Sequence, residues 1–538
     1  MNGAHGFAAA LTPKSGPELF FGLVSPTGTD AEQVCDVLTA VLSEVGYSVQ
    51  TVSISGVIDS VTGNRAGMMP LDEKIRHLMT EGTGLRRKAN RRDIAALLAV
   101  SAIWQVRSEK HEDDPPPDIP AEDFGKIPLS KTAYILRSLK TPEEVFTLRD
   151  IYGQAFNLIS IYSSESDRIT GLSKRIASSR RTSDPYQFRA VAQDLIKIDR
   201  DEGEQFGQRV RETFPLADYF LQASKAAEMR SDLRRFVRLV FADPFITPTR
   251  DEYAMFLARG VAMRSADLSR QVGAVIAQPS GDVIAAGCND VPRAGGGLYW
   301  ESDVPDGRDF TIGQDSAAVT KRESLVEFVA RLSEAGLIRN SDDDEDGSEG
   351  GNPPSPEALA DEIISGRLKD EFKGAQLLSV IEYGRSVHAE MAAITDSARR
   401  GVPIQGATLY STTFPCHLCA RHIISSGVTR VVYIEPYPKS KAQELFEDSM
   451  VEGVTKESNK VVFEPFVGVA PGNFFHLFEM GSARKDETGK AKDWENLPKN
   501  PKFKLFVTAY LMIEDEVLRG IVNPFLSSLN QSTSGETQ

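Results

Sequence analysis

The sequence His388-Ala389-Glu390 precedes the sequence Pro415-Cys416-His417-Leu418-Cys419 by about 25 residues, and these two stretches decide the fold of their half of the chain. One imidazole and two thiolates suit tetrahedral zinc, and three protein ligands leave a fourth position open for water. Cys416 and Cys419 are three residues apart at a predicted helix start, so they share one face. The helix N-terminus favours their thiolate forms. The pattern predicts a catalytic Zn²⁺ site held by His388, Cys416 and Cys419.

Glu390 stands at the start of a second predicted helix, which runs from Met391 towards Arg399. It is therefore placed beside the metal without having to bind it. Zinc lowers the pKa of bound water towards neutrality, and a neighbouring carboxylate can take the water's proton and pass it to a leaving amine. The sequence thus predicts hydrolytic deamination, with Glu390 as the catalytic residue.

The joined signature, His-x-Glu followed by Pro-Cys-x-x-Cys, resembles the cytidine and deoxycytidylate deaminase superfamily. Two alternatives compete with this interpretation. Cys-x-x-Cys alone can be a redox pair, but the preceding proline, the matched His-x-Glu and the absence of a thioredoxin-like sequence argue against it. A closed structural zinc site needs a fourth ligand. His417 points to another helix face, and His422 is expected to be a packing or surface residue.

Length and composition set the class of protein. A chain of 538 residues, 41% of them hydrophobic, predicts a globular protein of two domains. The net charge of -15 repels polyanions and favours small nucleotides over DNA or RNA as substrates. Four cysteines fit a reducing compartment, with Cys35 and Cys288 buried and inert. The sequence has no signal peptide and no long apolar run, so we expect a cytoplasmic protein that does not enter a membrane.

The N-terminal half has the pattern of a parallel α/β domain. Residues 18–24 predict a buried strand, residues 31–46 a helix and residues 47–54 a second strand. Residues 133–139 and 156–162 predict two further buried strands. Alternation of strands and helices is typical of a parallel sheet.

The turn after the first predicted strand, residues 25–30, resembles a P-loop of the nucleotide-kinase type. Ser25, Gly28 and Thr29 are the candidate loop residues. The turn departs from the motif because Ala31-Glu32 stands where Lys-Ser/Thr belongs, so β- and γ-phosphates lose their positive partner. Three interpretations stay open: an active kinase, nucleotide binding without phosphoryl transfer, and a purely structural remnant.

Two basic clusters occur in the same half: Arg86-Arg87-Lys88 with Arg91-Arg92, and Lys174-Arg175 with Arg180-Arg181. In a P-loop kinase such arginines would belong to a lid over the phosphates. The alternative for each cluster is a solvated helix face. A phosphate or RNA contact in this half therefore stays open.

A helix over residues 250–270 and a hairpin over residues 271–289 are predicted to open the second half. This order resembles the opening of the deoxycytidylate deaminase branch. The matching positions are Arg264-Ser265, Val272-Gly273-Ala274 and Asn289. The second half is thus similar to this branch over both its hairpin and its metal signature.

The resemblance also implies substrate contacts. Asn289 would hydrogen-bond the sugar, although Asn289 followed by Asp290 can also simply close a turn. In the superfamily the end of the strand predicted at 430–434 borders the pocket, so Tyr437 and Lys439 are candidates for base stacking and phosphate contact. Tyr437 can equally be a packing residue between prolines. The implied substrate-binding residues are Arg264, Ser265, Arg270, Asn289, Ala389, Thr413, Tyr437 and Lys439.

The predicted fold class is α/β, with an N-terminal P-loop-like parallel-sheet domain and a C-terminal cytidine deaminase-like α/β/α domain. An insertion is expected at about 291–385, and its acidic stretch 341–354 is expected to be disordered and not a calcium loop. The predicted divisions are a flexible tail over 1–16, a degenerate P-loop-kinase-like regulatory domain over 17–243, a zinc-dependent deaminase-like domain over 244–530 and a tail over 531–538.

Over most of its length the chain resembles the bacterial antiphage dCTP/dCMP deaminases, specifically in the second half and diffusely in the first. The resemblance implies conversion of deoxycytidine nucleotides to deoxyuridine nucleotides, which depletes the phage's replication pool. It implies control through the N-terminal half by a small RNA or a regulatory nucleotide, and a homo-oligomer. The alternatives are a single-stranded nucleic-acid cytosine deaminase, and an RNA- or nucleotide-sensing regulator with a vestigial zinc site. The choice between dCMP and dCTP stays open.

Overall fold

The computed structural model divides into two compact units: unit 1 comprises Met1–Phe256 and Pro465–Gln538, and unit 2 comprises Leu257–Glu464. None of the described helices has the length and apolar character needed to cross a bilayer. The structure describes residues 16–63, 65–117, 119–338, 354–372, 374–379, 383–435, 440–453, 459–502 and 507–535. The acidic stretch predicted to be disordered lies almost wholly outside these ranges.

A six-stranded sheet forms the centre of unit 1. Five parallel strands lie in the order β5-β4-β1-β3-β2, and a short antiparallel strand, Gly468–Val469, pairs with the β5 edge. The first strand reads LFFGLV and is buried throughout, as expected for a parallel strand covered on both faces. The parallel sheet predicted for this half is confirmed. The strands are β1 (Leu19–Val24), β2 (Ser48–Ser53), β3 (Thr132–Arg137), β4 (Phe156–Tyr162) and β5 (Tyr219–Gln222).

Local sequence sets the starts of the helices that surround this sheet. In the helix after Thr141, Thr141 and Glu144 form a capping box, and Pro142 occupies the first turn. Asp30 caps the helix that follows the loop after β1. These helices are α1 (Ala31–Glu44), α2 (Ile54–Thr62), α3 (Leu71–Ala89), α4 (Ile94–Asp113), α5 (Pro142–Tyr152), α6 (Glu165–Ser179), α7 (Arg189–Arg200), α8 (Val210–Thr213) and α9 (Ala226–Val240).

The two basic clusters of unit 1 are largely neutralised by carboxylates. Arg86 is 2% exposed, and its guanidinium donates to Glu144 at 3.1 Å. Arg180 makes a two-pronged contact with Asp72 at 2.8 and 2.7 Å. A solvated helix face is therefore the wrong interpretation for Arg86, because a buried carboxylate satisfies its charge.

A second six-stranded sheet, in the order β10-β11-β9-β8-β6-β7, organises unit 2. The hairpin predicted at the start of this half is confirmed, since β6 and β7 pair in antiparallel fashion. The next strand pair along the sheet, β8 with β9, is parallel. The chain is thus a mixed α/β protein with two sheets. The strands are β6 (Gly273–Ala277), β7 (Val283–Cys288), β8 (Thr408–Thr413), β9 (Arg430–Glu435), β10 (Met450–Glu452) and β11 (Val461–Pro465).

Seven α-helices lie between residue 250 and the end of unit 2 in the described part of the chain. They are α10 (Arg250–Ala262), α11 (Asp309–Ile312), α12 (Ser316–Glu334), α13 (Pro356–Ile364), α14 (Ala389–Arg400), α15 (His417–Ser425) and α16 (Ala442–Leu445). The predicted helix over 250–270 is too long. It ends at Ala262, and the Ser265 hydroxyl then donates to the Asn289 carbonyl at 2.6 Å, which holds this segment against the end of the hairpin. A Cβ at Gly287 would lie 2.4 Å from the Ala393 nitrogen, so glycine lets α14 pack directly on β7.

After β11 the chain returns to unit 1, which differs from the predicted domain over 244–530. The physical reason is long-range packing. The strand Gly468–Val469 extends the unit 1 sheet, and Val522 is fully buried in the unit 1 core. The returning helices are α17 (Phe474–Phe478), α18 (Val507–Val517), which continues as a π-helix over Leu518–Val522, and α19 (Asn523–Gly535).

A buried ion group joins the returning segment to the rest of unit 1. Arg107 of α4 is fully buried and binds Glu18 at 2.8 Å and Glu514 of α18 at 2.5 Å. The hydroxyls of Tyr134 and Tyr510 donate to Glu18 at 2.9 and 2.7 Å. Every charged member of the group thus has partners, as burial of charge requires.

Candidate metal centre and substrate cavity

Three metal-ligating side chains meet at the starts of two helices of unit 2. His388 precedes α14 as its N-cap, and Cys416 precedes α15 as its N-cap. The Nδ1 atom of His388 lies 3.2 Å from the Cys416 sulfur and 3.4 Å from the Cys419 sulfur. All three ligand atoms lie within 4.8 Å of one another. One nitrogen and two sulfurs at this spacing fit a single zinc ion.

Before a metal binds, the three ligands differ in protonation, because the hydrogen bond to Cys416 and burial raise the pKa of the Cys419 thiol. The hydrogen bond from the Cys419 side chain, with a second one from His388, lowers the pKa of Cys416 to about 4. The hydrogen bond to Cys416 raises the pKa of His388 to about 8. Cys416 is therefore a thiolate at neutral pH, which is the form that binds metal. Zinc displaces protons from His388 and Cys419 when it binds.

Neither nearby histidine of α15 joins the metal group. Within the ranges that the structure describes, the group consists of His388, Cys416 and Cys419. His417 has a buried Nδ1 atom that finds no partner among the described residues, and His422 lies in the last turn of α15. Three ligands therefore leave a coordination position open, as in catalytic zinc sites and unlike closed structural ones.

Glu390 lies in the first turn of α14, two residues after His388. Its side chain is buried, with the residue 3% exposed, and the Ser411 hydroxyl donates to its Oε1 atom at 3.3 Å. Burial raises the pKa of the Glu390 carboxyl. A carboxyl group in this environment can both accept a proton and return it.

A cavity of about 390 Å³ opens onto this centre, with His388, Glu390 and Cys416 in its wall. Its volume falls within the range of small-molecule pockets. Other parts of its wall carry charged side chains of both signs, namely Asp267, Arg270, Asp309, Asp315, Lys321 and Arg385. The cavity can therefore hold a polar, charged molecule against the metal centre.

Four of the predicted substrate-binding residues line this cavity: Arg270, Asn289, Ala389 and Thr413. The Asn289 amide is already engaged at both ends, accepting from the Val272 N–H at 2.7 Å and donating to the Arg270 carbonyl at 2.8 Å. Asn289 thereby fixes the loop before β6 as well as facing the cavity. Arg270 lies 3.7 Å from Glu435 in a half-exposed ion pair.

The remaining predicted substrate residues either do not line the cavity or fall outside the described residues. Ser265 holds the Asn289 carbonyl through its hydroxyl. Arg264 donates to the carbonyls of Leu298 and Tyr299, and its guanidinium lies 3.5 Å from the centre of the Trp300 ring. The predictions for Tyr437 and Lys439 fall outside the described residues.

Sequence reasoning missed the charged residues that the insertion brings to the cavity. Lys321 of α12 lines it and has no ion-pair partner among the residues that the structure describes. Arg385 also lines it and donates to Asp309 at 2.7 Å. The only sequence signal was the position of Arg385, three residues before His388. No local sequence pattern indicates that Lys321 lines the cavity.

Residues 248–435 match the family model "Cytidine and deoxycytidylate deaminase zinc-binding region". The match supports the predicted cytidine deaminase-like family for this part of the chain. Zinc is the cofactor of the matched region, and His388, Cys416 and Cys419 form its candidate site. The predicted Zn²⁺ cofactor is thus confirmed.

Curated relatives match only over short segments. ComE operon protein 2 of Bacillus subtilis (strain 168) is 46% identical over 74 residues, which is 14% of this chain and 38% of that protein. Deoxycytidylate deaminase of Enterobacteria phage T2 is 49% identical over 55 residues, which is 10% of this chain and 29% of that protein. The chain therefore spans less than two fifths of the length of these relatives.

A solved structure of dCMP deaminase from the cyanophage S-TIM5, in complex with dCMP and dUMP, is 16% identical with a TM-score of 0.21. The alignment covers 41% of this chain and 98% of that one. A TM-score at this level carries no inference about the present chain.

We predict that iodoacetamide labels Cys416 before the other cysteines in zinc-free protein at pH 7. Cys416 lines the cavity and has a lowered pKa, whereas burial raises the pKa of Cys35 and of Cys288 to about 11. At pH 7 a thiol with that pKa is a thiolate for only about one part in ten thousand. Peptide mass spectrometry over a time course measures the order of labelling.

Saturation with Zn²⁺ is expected to suppress the labelling of Cys416, because a coordinated thiolate is a poor nucleophile. Labelling of Cys35 or Cys288 as fast as Cys416, or the same rate with and without zinc, would contradict the predicted metal centre.

Proposed function

We propose that the chain catalyses zinc-dependent hydrolytic deamination of deoxycytidine nucleotides, dCTP or dCMP or both, to deoxyuridine nucleotides and ammonia. The observation that carries this proposal is the convergence of His388, Cys416 and Cys419 beside the buried carboxyl group of Glu390 at the wall of one cavity. The match of residues 248–435 to a deaminase zinc-binding region agrees with it.

Zinc held by His388, Cys416 and Cys419 would supply a Lewis acid that lowers the pKa of water towards neutrality. Glu390 takes one proton from water, whose oxygen bonds to C4 of cytosine, and gives that proton to N3. Glu390 then carries the second proton to the exocyclic nitrogen as the C4–N4 bond breaks and ammonia leaves. Ser411 holds the Glu390 carboxyl in place during both transfers.

Recognition of the nucleotide is assigned to the rest of the cavity wall. Ala389 and Thr413 lie beside the metal centre and would contact the base, and Asn289 would contact the sugar. Arg270, Lys321 and Arg385 would meet the phosphates, since guanidinium and ammonium groups bind phosphate oxygens through charge-assisted hydrogen bonds. Ser265 and Arg264 would act indirectly by holding the loop and the insertion.

We predict that Lys321→Ala raises KM for the deoxycytidine nucleotide about tenfold with little change in kcat. Lys321 is the cavity cation without an ion-pair partner among the described residues, so its removal costs binding energy and not chemistry. Steady-state kinetics with dCMP and with dCTP measure the effect. Lys369→Ala, at an exposed lysine of the insertion, is the matched control and should leave KM unchanged.

The nucleoside deoxycytidine separates a phosphate contact from a general disturbance of the cavity. Because it carries no phosphate, its KM is expected to be nearly the same with Lys321→Ala as with the unmodified protein. An equal rise in KM for the nucleoside and the nucleotide would contradict the assignment of Lys321 to phosphate.

The proposed activity is tested by incubating the zinc-loaded chain with dCTP, dCMP, CTP, dATP and single-stranded DNA, and by scoring each deaminated product. We expect turnover of dCTP or dCMP. Turnover of single-stranded DNA alone would instead assign a nucleic-acid cytosine deaminase, which needs a basic groove with aromatic platforms. The net charge of -15 disfavours a polyanion as the substrate.

We further propose that the activity serves antiphage defence in the cytoplasm, where loss of deoxycytidine nucleotides starves phage replication. Unit 1 would be a P-loop-like regulatory domain that responds to a small RNA or a nucleotide, and the protein would act as a homo-oligomer. The test is the dCTP pool of phage-infected cells. Cells that express the wild-type chain should lose dCTP, and cells that express the Glu390→Gln variant should not.

A further inference from the structure

Unit 1 contains its own cavity, of about 290 Å³, beside the loop of residues 25–30. The loop follows β1, and β1 lies between β3 and β4. From β1 the chain first forms β2 and β3, which lie on one side of β1 in the sheet, and later forms β4 and β5 on the other side. Open parallel sheets bind ligands at the carboxyl ends of their strands at such a point. The cavity lies where this kind of sheet carries a ligand.

Three buried side chains in the cavity wall each have a polar atom without a hydrogen-bond partner among the described residues. They are Thr29 Oγ1, Arg86 Nε and Gln208 Oε1, in residues that are 7%, 2% and 3% exposed. Buried polar atoms are rarely left unpaired, because losing their hydrogen bonds to water is costly. Two of the three can donate and one accepts, so a molecule that satisfies them carries both acceptors and donors.

The backbone of the loop is already occupied by side chains. Asp199 accepts the Thr27 N–H at 2.6 Å, which places a carboxylate where a P-loop would hold a phosphate. The carbonyls of Ser25 and Gly28 accept hydrogen bonds from Lys140 at 3.0 Å and Arg175 at 2.8 Å. The Thr29 N–H donates to the Pro26 carbonyl at 3.0 Å, so the amides of Thr27 and Thr29 are both taken and are not offered to a triphosphate.

The other residues of the wall indicate a small amphipathic anion. Ile58, Ile75 and Leu78 form an apolar surface. Lys74 and Arg137 line the cavity and make no ion pair within the described ranges. The volume is at the small end of the usual range of about 300–1,000 Å³, which favours one nucleotide over a dinucleotide or an RNA segment.

We propose that this cavity binds a nucleoside monophosphate. The base lies on the apolar surface, the phosphate meets Lys74 and Arg137, and the sugar or base edge pairs with Thr29 and Gln208. The proposal rests on the regulatory nucleotide proposed for unit 1 and names its chemical class, and it is independent of the deamination proposed for unit 2. Because Asp199 occupies the Thr27 amide and Ala31-Glu32 stands where a P-loop has its lysine, the bound nucleotide is a ligand and not a phosphoryl donor.

Calorimetric titration of the full zinc-loaded chain with AMP, GMP, dTMP and inorganic phosphate tests the proposal. None of the three nucleotides contains cytosine, so the proposed reaction of unit 2 does not consume them. We expect at least one to bind at about one site per chain, and phosphate to bind at least about tenfold more weakly. Thr29→Val should weaken nucleotide binding about fivefold, and Arg137→Gln about tenfold.

Thr80→Val, at an exposed threonine of α3, is the matched control and should bind as the wild-type chain does. Lys321→Ala should also bind normally, because Lys321 belongs to the cavity of unit 2. The proposal is overturned if none of the three nucleotides binds, if phosphate binds as tightly as the nucleotides, if Lys321→Ala abolishes binding, or if either Thr29→Val or Arg137→Gln leaves it unchanged.

Discussion

The Glu390→Gln variant is expected to release ammonia from deoxycytidine nucleotides at least about a thousandfold more slowly than the wild-type chain. Glutamine keeps the size of the side chain and can still accept from the Ser411 hydroxyl, but it cannot take a proton from water or return one. A coupled ammonia assay with dCMP and dCTP measures the loss. General acid–base catalysis by a placed side chain contributes about 10²–10⁴-fold, and in the proposed mechanism one residue makes every proton transfer.

The zinc content of the Glu390→Gln protein is expected to be unchanged, because Glu390 is not among the three grouped ligands. Glu444→Gln, at an exposed glutamate of α16, is the matched control and should keep full activity. A variant that retains zinc and releases ammonia at an undiminished rate would show that another group moves the protons.

Arg107→Met is expected to lower the free energy of unfolding of unit 1 by about 3–5 kcal/mol. Arg107 is the only cation in direct contact with Glu18 and Glu514 in the described part of this buried group, and burial raises the pKa of Glu514 even with the arginine present. Removing the guanidinium leaves two buried carboxyl groups without a positive partner. Urea unfolding of the full chain measures the change.

The triple variant Arg107→Met, Glu18→Gln and Glu514→Gln should recover part of this stability, because it removes the unpaired charges. Arg331→Met, at an exposed arginine whose pair with Glu327 is solvated, is the control and should cost less than about 1 kcal/mol. A loss of the same small size at Arg107 would contradict the view that the buried ion group holds the returning segment to unit 1.

The metal centre could be predicted because its geometry is local. A proline and an N-capping cysteine start α15, so Cys416 and Cys419 share a helix face from their spacing alone. His388 and Glu390 are two residues apart at the start of α14. Only the approach of the two helices required the fold. Gly287 of β7 and the small residues of α14 let α14 pack directly on the sheet.

The domain boundary could not be predicted because the contacts that set it join distant parts of the sequence. Glu514 and Arg107 are separated by 407 residues, and no local pattern in α18 marks its partner. The short strand Gly468–Val469 likewise gains its place from pairing with β5. Burial of Arg86 was missed for the same reason, since its partner Glu144 lies on another helix.

The predicted substrate residues are intermediate: sequence alone predicts them less well than the metal centre and better than the domain boundary. Asn289 and Arg270 were predicted from the resemblance of this region to the deoxycytidylate deaminase branch, and both line the cavity. Lys321 comes from an insertion whose path depends on tertiary packing, so its spacing from the metal ligands carries no information. The roles of Tyr437 and Lys439 stay predictions.

The most direct test of the central claim is incubation of the zinc-loaded chain with dCMP and with dCTP in water enriched in ¹⁸O, followed by mass spectrometry of the product. Hydrolytic deamination predicts a deoxyuridine nucleotide about 2 Da heavier than the product formed in ordinary water, because the oxygen at C4 comes from the solvent. Recovery of both nucleotides unchanged, or a product without the heavy oxygen, would contradict the account.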